Sequence, residues 1–157
     1  DILGRCKTLR MKIFEKIKSS IPLFDLHTCK DDLDVSFLSK IEKNLFFATL
    51  KNKNLLEESL KELKKEKVDP IYFGELLNQQ HRILRDDLNV STRKIESMLS
   101  ASKQAGAFGG KINGSGGGGC MFAYAPDNPY KVASAIESVG GRAYIIGKDE
   151  GTKILFK

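Results

Sequence analysis

The sequence predicts an α+β domain, and three observations carry that prediction. Apolar residues recur at helical spacing through the first two thirds of the chain. The last third switches to short apolar runs separated by glycine-rich turns. Helix-like and strand-like segments are segregated along the chain rather than alternating, which fits α+β better than a doubly wound sheet. Residues 1–157 are thus read as one domain, helical over 1–104 and ordered β-β-α-β-β over 105–157.

Each element has a local reason. Ile2, Cys6, Leu9, Ile13 and Ile17 form one stripe of a first helix, which Pro22 stops. Residues 21–33 read as a loop. Asp34 or Ser36 can cap a second helix that turns Leu38, Ile41, Leu45 and Ala48 inward, and Leu56, Leu60 and Leu63 continue the spacing. Asp69-Pro70 opens a third helix, with Pro in the first turn and Phe73, Leu76, Leu77, Gln80 and Leu84 on one face. Asn89 marks a break. Ser91 or Thr92 caps a further helix that buries Ile95, Met98 and Leu99. Residues 108–125 read as two strands joined by glycines. Residues 128–139 form a helix with Val132, Ala135, Ile136 and Val139 inward, ended by Gly140-Gly141. Arg142 to Ile146 and Lys153 to Phe156 are two more strand candidates around a turn at Lys148–Gly151.

Bulk composition narrows the class. Hydrophobic residues make up 41% and charged residues 29%, as in an ordinary globular domain. No apolar run approaches the roughly 20 residues needed to span a bilayer. No signal-peptide pattern opens the chain, which begins as if inside a helix and without Met. A cytoplasmic piece of a longer protein is therefore expected, with no membrane partner. The net charge of +6 would suit an anionic partner, but Lys61, Lys64, Lys65 and Lys67 alternate with Glu57, Glu58, Glu62 and Glu66. That pattern is a solvated helix face, and no nucleic-acid partner is expected. Arg5, Lys7, Arg10, Lys12, Lys16 and Lys18 make the first helix more one-sided. Cys6, Cys29 and Cys120 have no C-x-x-C spacing, and with only His27 and His81 they give no zinc set. No metal ligands are assigned.

The run most suggestive of chemistry is Gly114-Ser115-Gly116-Gly117-Gly118-Gly119. Ordering four consecutive glycines is entropically expensive, so such a loop marks a close backbone approach or N–H groups converging on an anion. It is not a P-loop, since Cys120 and Met121 stand where Lys and a hydroxyl are required. Its G-x-G-x-x-G match lacks the helix that must follow it, because Cys-Met-Phe-Ala-Tyr-Ala favours a strand. From the residues alone a phosphate-facing loop and a plain hairpin loop both stand.

The densest polar cluster is His81-Arg82-Ile-Leu-Arg85-Asp86-Asp87. Asp86 and Asp87 point about 100° apart on a helix and form no shared dyad. Arg82 and Asp86, at i and i+4, can pair on the surface. His81 reads as a surface or supporting histidine, and Glu75 and Gln79 are unremarkable. Nothing fixes a nucleophile, so no catalytic residue is assigned to this chain.

At two places the sequence resembles a known family. FGELLNQQHRILRDDLNVSTRKIESML, at 73–99, resembles the helix-break-helix segment of galactokinases. AGAFGGKINGSGGGGCMFAYA, at 105–125, resembles the third signature motif of the superfamily of galactokinase, homoserine kinase, mevalonate kinase and phosphomevalonate kinase, the GHMP kinases. The ending GGRAYIIGKDEGTKILFK is similar to that of galactokinases. Galactokinases often carry an aromatic within the glycine run; Gly117 and Gly118 leave none, as in mevalonate and heptose-phosphate kinases. The superfamily's other two motifs, including a Pro-x-x-x-Gly-Leu-Ser-Ser-Ser phosphate loop, are absent. The resemblance thus implies the C-terminal domain of such a kinase, with a ferredoxin-like portion. It implies a missing N-terminal domain as partner, ATP and Mg²⁺ as cofactors held mainly by that domain, and a small-molecule sugar as substrate, galactose or a relative. The loop 114–119 would face phosphate or substrate, with Ser115 offering a hydroxyl, and Asn113, Arg85 and Asp86 are the candidates facing the cleft. The isolated chain is expected to be inactive. A mevalonate or heptose-phosphate kinase, or a non-catalytic sensor, are the alternatives it leaves.

Overall fold

The computed structural model describes residues 2–147 and Gly151. Its elements run α1 (Ile2–Ser20), α2 (Lys40–Leu63), α3 (Pro70–Arg82), a single π-helical turn (Ile83–Asp87), α4 (Arg93–Gln104), β1 (Gly109–Asn113), β2 (Cys120–Tyr124) and α5 (Pro129–Ser138). The α+β class holds, with helices around a small antiparallel sheet.

The caps explain the helix starts. Asp69 accepts from the N–H groups of Ile71 and Tyr72 ahead of Pro70, and Thr92 accepts from Ile95. The second helix starts later than expected. Asp34 instead accepts from the N–H of Ser36 in a local turn, and Ser39 caps α2 with a full capping box to Glu42. Ile41 consequently lands in solvent, 69% exposed. Further along α2, Leu56, Leu60 and Leu63 also face outward. Leu38 and Ala48 are buried as expected, but in the second half of α2 the buried positions are Leu55 and Glu62, each one residue before the expected Leu56 and Leu63. Glu62 tolerates burial because it accepts the Asp69 N–H at 2.8 Å and pairs with Lys65 at 2.6 Å.

Three apolar clusters result among the described residues, the smallest formed by Ala105, Ala107 and Val132. In the first of the larger two, Ile13 and Ile17 of α1 pack with Phe24, Val35, Leu38, Phe46 and Leu50. The second cluster joins Leu76 of α3, Ile83, Leu88, Val90, Ile95 and Met98 of α4, and Ile112 of β1. It is this second cluster that carries the candidate site.

The sheet has two strands in the register Gly109↔Tyr124 to Asn113↔Cys120. The free edge of β1 is closed by a side chain. The Asn78 amide donates to Phe108 C=O at 3.1 Å and accepts from Gly110 N–H at 3.2 Å. An unpaired sheet edge is thereby satisfied from α3. The two backbones approach so closely that a Cβ on Gly109 would lie 2.0 Å from the Gly74 carbonyl oxygen.

The third expected strand does not form. Residues 141–147 follow α5 without a ladder, leaving Tyr144 and Ile146 in solvent. A strand needs a hydrogen-bonded partner; Asn78 holds the outer edge of β1, and residues 141–147 form no ladder with the other edge, that of β2. Arg142 instead stacks 5.1 Å over the Tyr144 ring. The candidate at Lys153 to Phe156 lies outside the described residues.

Candidate functional site

The glycine loop hangs between β1 and β2 and is built from backbone that other residues rarely adopt. Gly114, Gly116, Gly117, Gly118 and Gly119 all have positive φ, between 75° and 130°. A Cβ on Gly114, Gly118 or Gly119 would meet nothing within 4 Å, so those positions front open space. Gly116 is different: a Cβ there would sit 2.6 Å from the carbonyl oxygen of Val90. The neighbouring Gly117 N–H donates to that same carbonyl at 2.7 Å. The loop is therefore pinned at one point and free on its outer side.

Val90 is itself fixed. The chain leaves the π turn through the Leu88 N–H bond to Ile83 C=O, five residues back. Asn89 then takes a left-handed conformation, φ 51°. Val90 returns its N–H to Leu84 C=O at 3.0 Å and buries its side chain at 4% exposure.

Behind this turn lies a polar knot centred on Glu96 of α4. Oε1 of Glu96 receives the Ser91 hydroxyl and lies 2.8 Å from Nε2 of His81, while Arg85 reaches Oε2 at 3.4 Å. Burial pushes the Glu96 carboxyl up, and the Ser91, His81 and Arg85 interactions more than offset it, so it titrates below its ordinary value. An ionised Glu96 only accepts, so Nε2 of His81 carries the proton. Its other ring nitrogen, Nδ1, is buried with no hydrogen-bond partner among the described residues. Arg85 grips Asp86 with two bonds, at 2.7 and 2.9 Å. That fork raises the Arg85 pKa and holds the Asp86 carboxyl below its usual range.

The expected residues are thus brought together only in part. Asn113, Gly114 and Ser115 are exposed at the loop. Arg85 and Asp86 are spent on each other, and Arg85 also on Glu96. The expected Arg82–Asp86 pair is not formed: the π turn inserts a residue, and Arg82 pairs backward with Glu75 at 2.7 Å. Of the two readings of His81, surface or supporting, it takes the second: it is buried and bonded to Glu96. Glu96, Val90 and Asn78 carry the site's internal bonds, and the sequence reading did not single them out. A polar residue four positions after the Thr92 cap was the available signal for Glu96.

A family model described as "GHMP kinases C terminal" matches residues 53–142, more than half of the chain. This chain belongs to the GHMP kinase C-terminal family. A mevalonate kinase of Thermococcus onnurineus is 46% identical over 85 residues, covering 54% of this chain and 25% of that protein. A galactokinase of Lactococcus lactis subsp. lactis is 42% identical over 74 residues, 46% of this chain and 18% of that protein. The solved structure of a Lactococcus lactis galactokinase complexed with galactose superposes with a TM-score of 0.76 at 22% identity, over 88% of this chain and 37% of that one. That likeness establishes the fold. The chain spans about a quarter of the length of the mevalonate kinases it matches. The matched residues 53–142 of the GHMP domain enclose the Asn78 edge closure, the Glu96 knot, Val90 and the whole glycine loop.

Proposed function

We propose that this chain is the C-terminal half of a kinase that moves the γ-phosphoryl of ATP to a hydroxyl of a small molecule, and that loop 114–119 forms one wall of the phosphate site. The observation that carries this reading is the loop itself: open positive-φ glycines on its outer side, pinned through Gly117 to Val90 on its inner side. Phosphoryl transfer is mostly positioning and charge stabilisation, and a side-chain-free wall lets backbone come close to phosphate oxygens. The fit to phosphate is good where Gly114, Gly118 and Gly119 leave space a Cβ would fill. The fit to Mg²⁺ is not: among the described residues no three His, Cys, Asp or Glu side chains cluster for a metal. ATP supplies the transferred group, and this chain's residues hold one side of it; the other side, and the metal, belong to an N-terminal domain.

The 73–99 resemblance and the galactokinase fold support a sugar acceptor, galactose or a relative. A second reading, mevalonate, draws support from the higher identity over the longer match. Three cysteines without a disulfide among them suit a reducing cytoplasm. The test joins this chain to its N-terminal half and follows ADP formation with galactose and with mevalonate, beside the 157-residue chain alone. ADP from the joined polypeptide with one acceptor, and none from the chain alone, is expected. Phosphorylation by the chain alone, or none by the joined form, would refute the proposal, and acceptor binding without ADP would assign a sensor instead.

A further inference from the structure

We infer that Glu96 is a positioning residue for the glycine loop, acting through Ser91 and the Val90 carbonyl. Its carboxylate is where three pieces of chain meet: His81 from α3, Arg85 from the π turn, and Ser91 from the entry to α4. Ser91 is the residue after Val90, so fixing its hydroxyl fixes the Val90 peptide. That peptide holds the Gly117 N–H at 2.7 Å and stands 2.6 Å from any Cβ at Gly116. The preceding Asn89 sits at φ 51°, the left-handed turn that delivers Val90 and Ser91 to this place. Without the Glu96–Ser91 bond, the left-handed turn keeps the Leu88–Ile83 and Val90–Leu84 bonds and the packing of Leu88 and Val90 on its entry side, but nothing among the described residues holds the Ser91 side chain on its exit side. The Val90 carbonyl that anchors the loop tip through Gly117 would then be less firmly held, while β1 and β2 stayed paired.

The restraint is testable on the 157-residue chain without any kinase activity, by NMR hydrogen exchange of single amides. Ser91→Ala should speed Gly117 exchange about tenfold, the worth of one side-chain hydrogen bond. The Ala105 and Gly141 amides, bonded to Ala101 and Ile136, report the rest of the domain and should keep their rates. Ser91→Thr should restore Gly117, Glu96→Ala should match Ser91→Ala, and Glu96→Gln, which keeps an acceptor oxygen, should stay within a few-fold of the parent. Unchanged Gly117 exchange in Ser91→Ala, or equal acceleration of all three amides, would overturn the inference; Ser91→Ala decides if Glu96→Ala does not fold. Its catalytic consequence rests on the phosphate-facing reading above. In the joined kinase, Ser91→Ala should raise KM for ATP about tenfold with a smaller change in kcat, reversed by Ser91→Thr. Faster Gly117 exchange with an unchanged KM would leave the positioning role intact and remove the phosphate-facing reading instead.

Discussion

Gly74 of α3 and Gly109 of β1 touch backbone to backbone, so closely that neither has room for a methyl group. A Cβ on Gly74 would lie 2.6 Å from the carbonyl carbon of Phe108. This contact sets the distance between α3 and the sheet, and hence where the knot behind the glycine loop sits. Gly74→Ala must move backbone, and overpacking of this kind costs about 1–3 kcal/mol. Gly114→Ala meets nothing within 4 Å and carries only the strain of φ +83°, about 1 kcal/mol. Urea unfolding of the two variants should rank them in that order; equal losses would contradict the contact.

Acid should weaken the α1–α2 joint. Glu42 bonds Lys16 at 2.7 Å and completes the Ser39 capping box, which holds its carboxyl at about 2 rather than 4.5. A depressed folded pKa means stability that is present above the unfolded value and lost as pH falls toward the folded one. Stability should therefore decline between pH 4.5 and about 2, and Glu42→Gln should remove part of that slope. The side chains are partly exposed, so salt should flatten it as well. A pH profile of Tm that is identical in Glu42→Gln and parent would contradict this.

The start of α4 depends on one hydroxyl. Thr92 accepts the Ile95 N–H at 3.3 Å, so Thr92→Ala should cost about 1 kcal/mol and Thr92→Ser only a few tenths. Chemical denaturation of both variants checks this, and a harmless Thr92→Ala would show that the cap carries no stability.

Where sequence signals are local, they translate directly into structure. Asp69-Pro70 and Thr92 cap the helices they were expected to cap, Asn89 breaks the chain, and the glycines join two strands. What escaped was non-local or one residue out of phase. The π turn at 83–87 leaves no compositional mark, yet it redirects Arg82 to Glu75 and Arg85 to Glu96. The Ser39–Glu42 box was legible as S-x-x-E but lay beyond the earlier Asp34 and Ser36. Leu56, Leu60 and Leu63 keep helical spacing, but burial of Leu55 and of the paired Glu62 rotates α2 by one position. His81 and Glu96 are 15 residues apart and meet only because α3 and α4 pack around one core. Arg142 to Ile146 has strand composition, but β propensity is expressed only against a partner strand, and none pairs with this segment among the described residues.

The most direct test of the phosphate-wall reading is the ATP kinetics of Gly118→Ala in the polypeptide that joins this chain to its N-terminal half. Gly118 has φ +130° and open space in front of it, so the added methyl touches nothing inside this domain. kcat/KM for ATP should fall on the order of 100-fold, the scale of a lost backbone contact to developing charge, with the fold of the domain retained. Unchanged kinetics in a folded Gly118→Ala enzyme would contradict it.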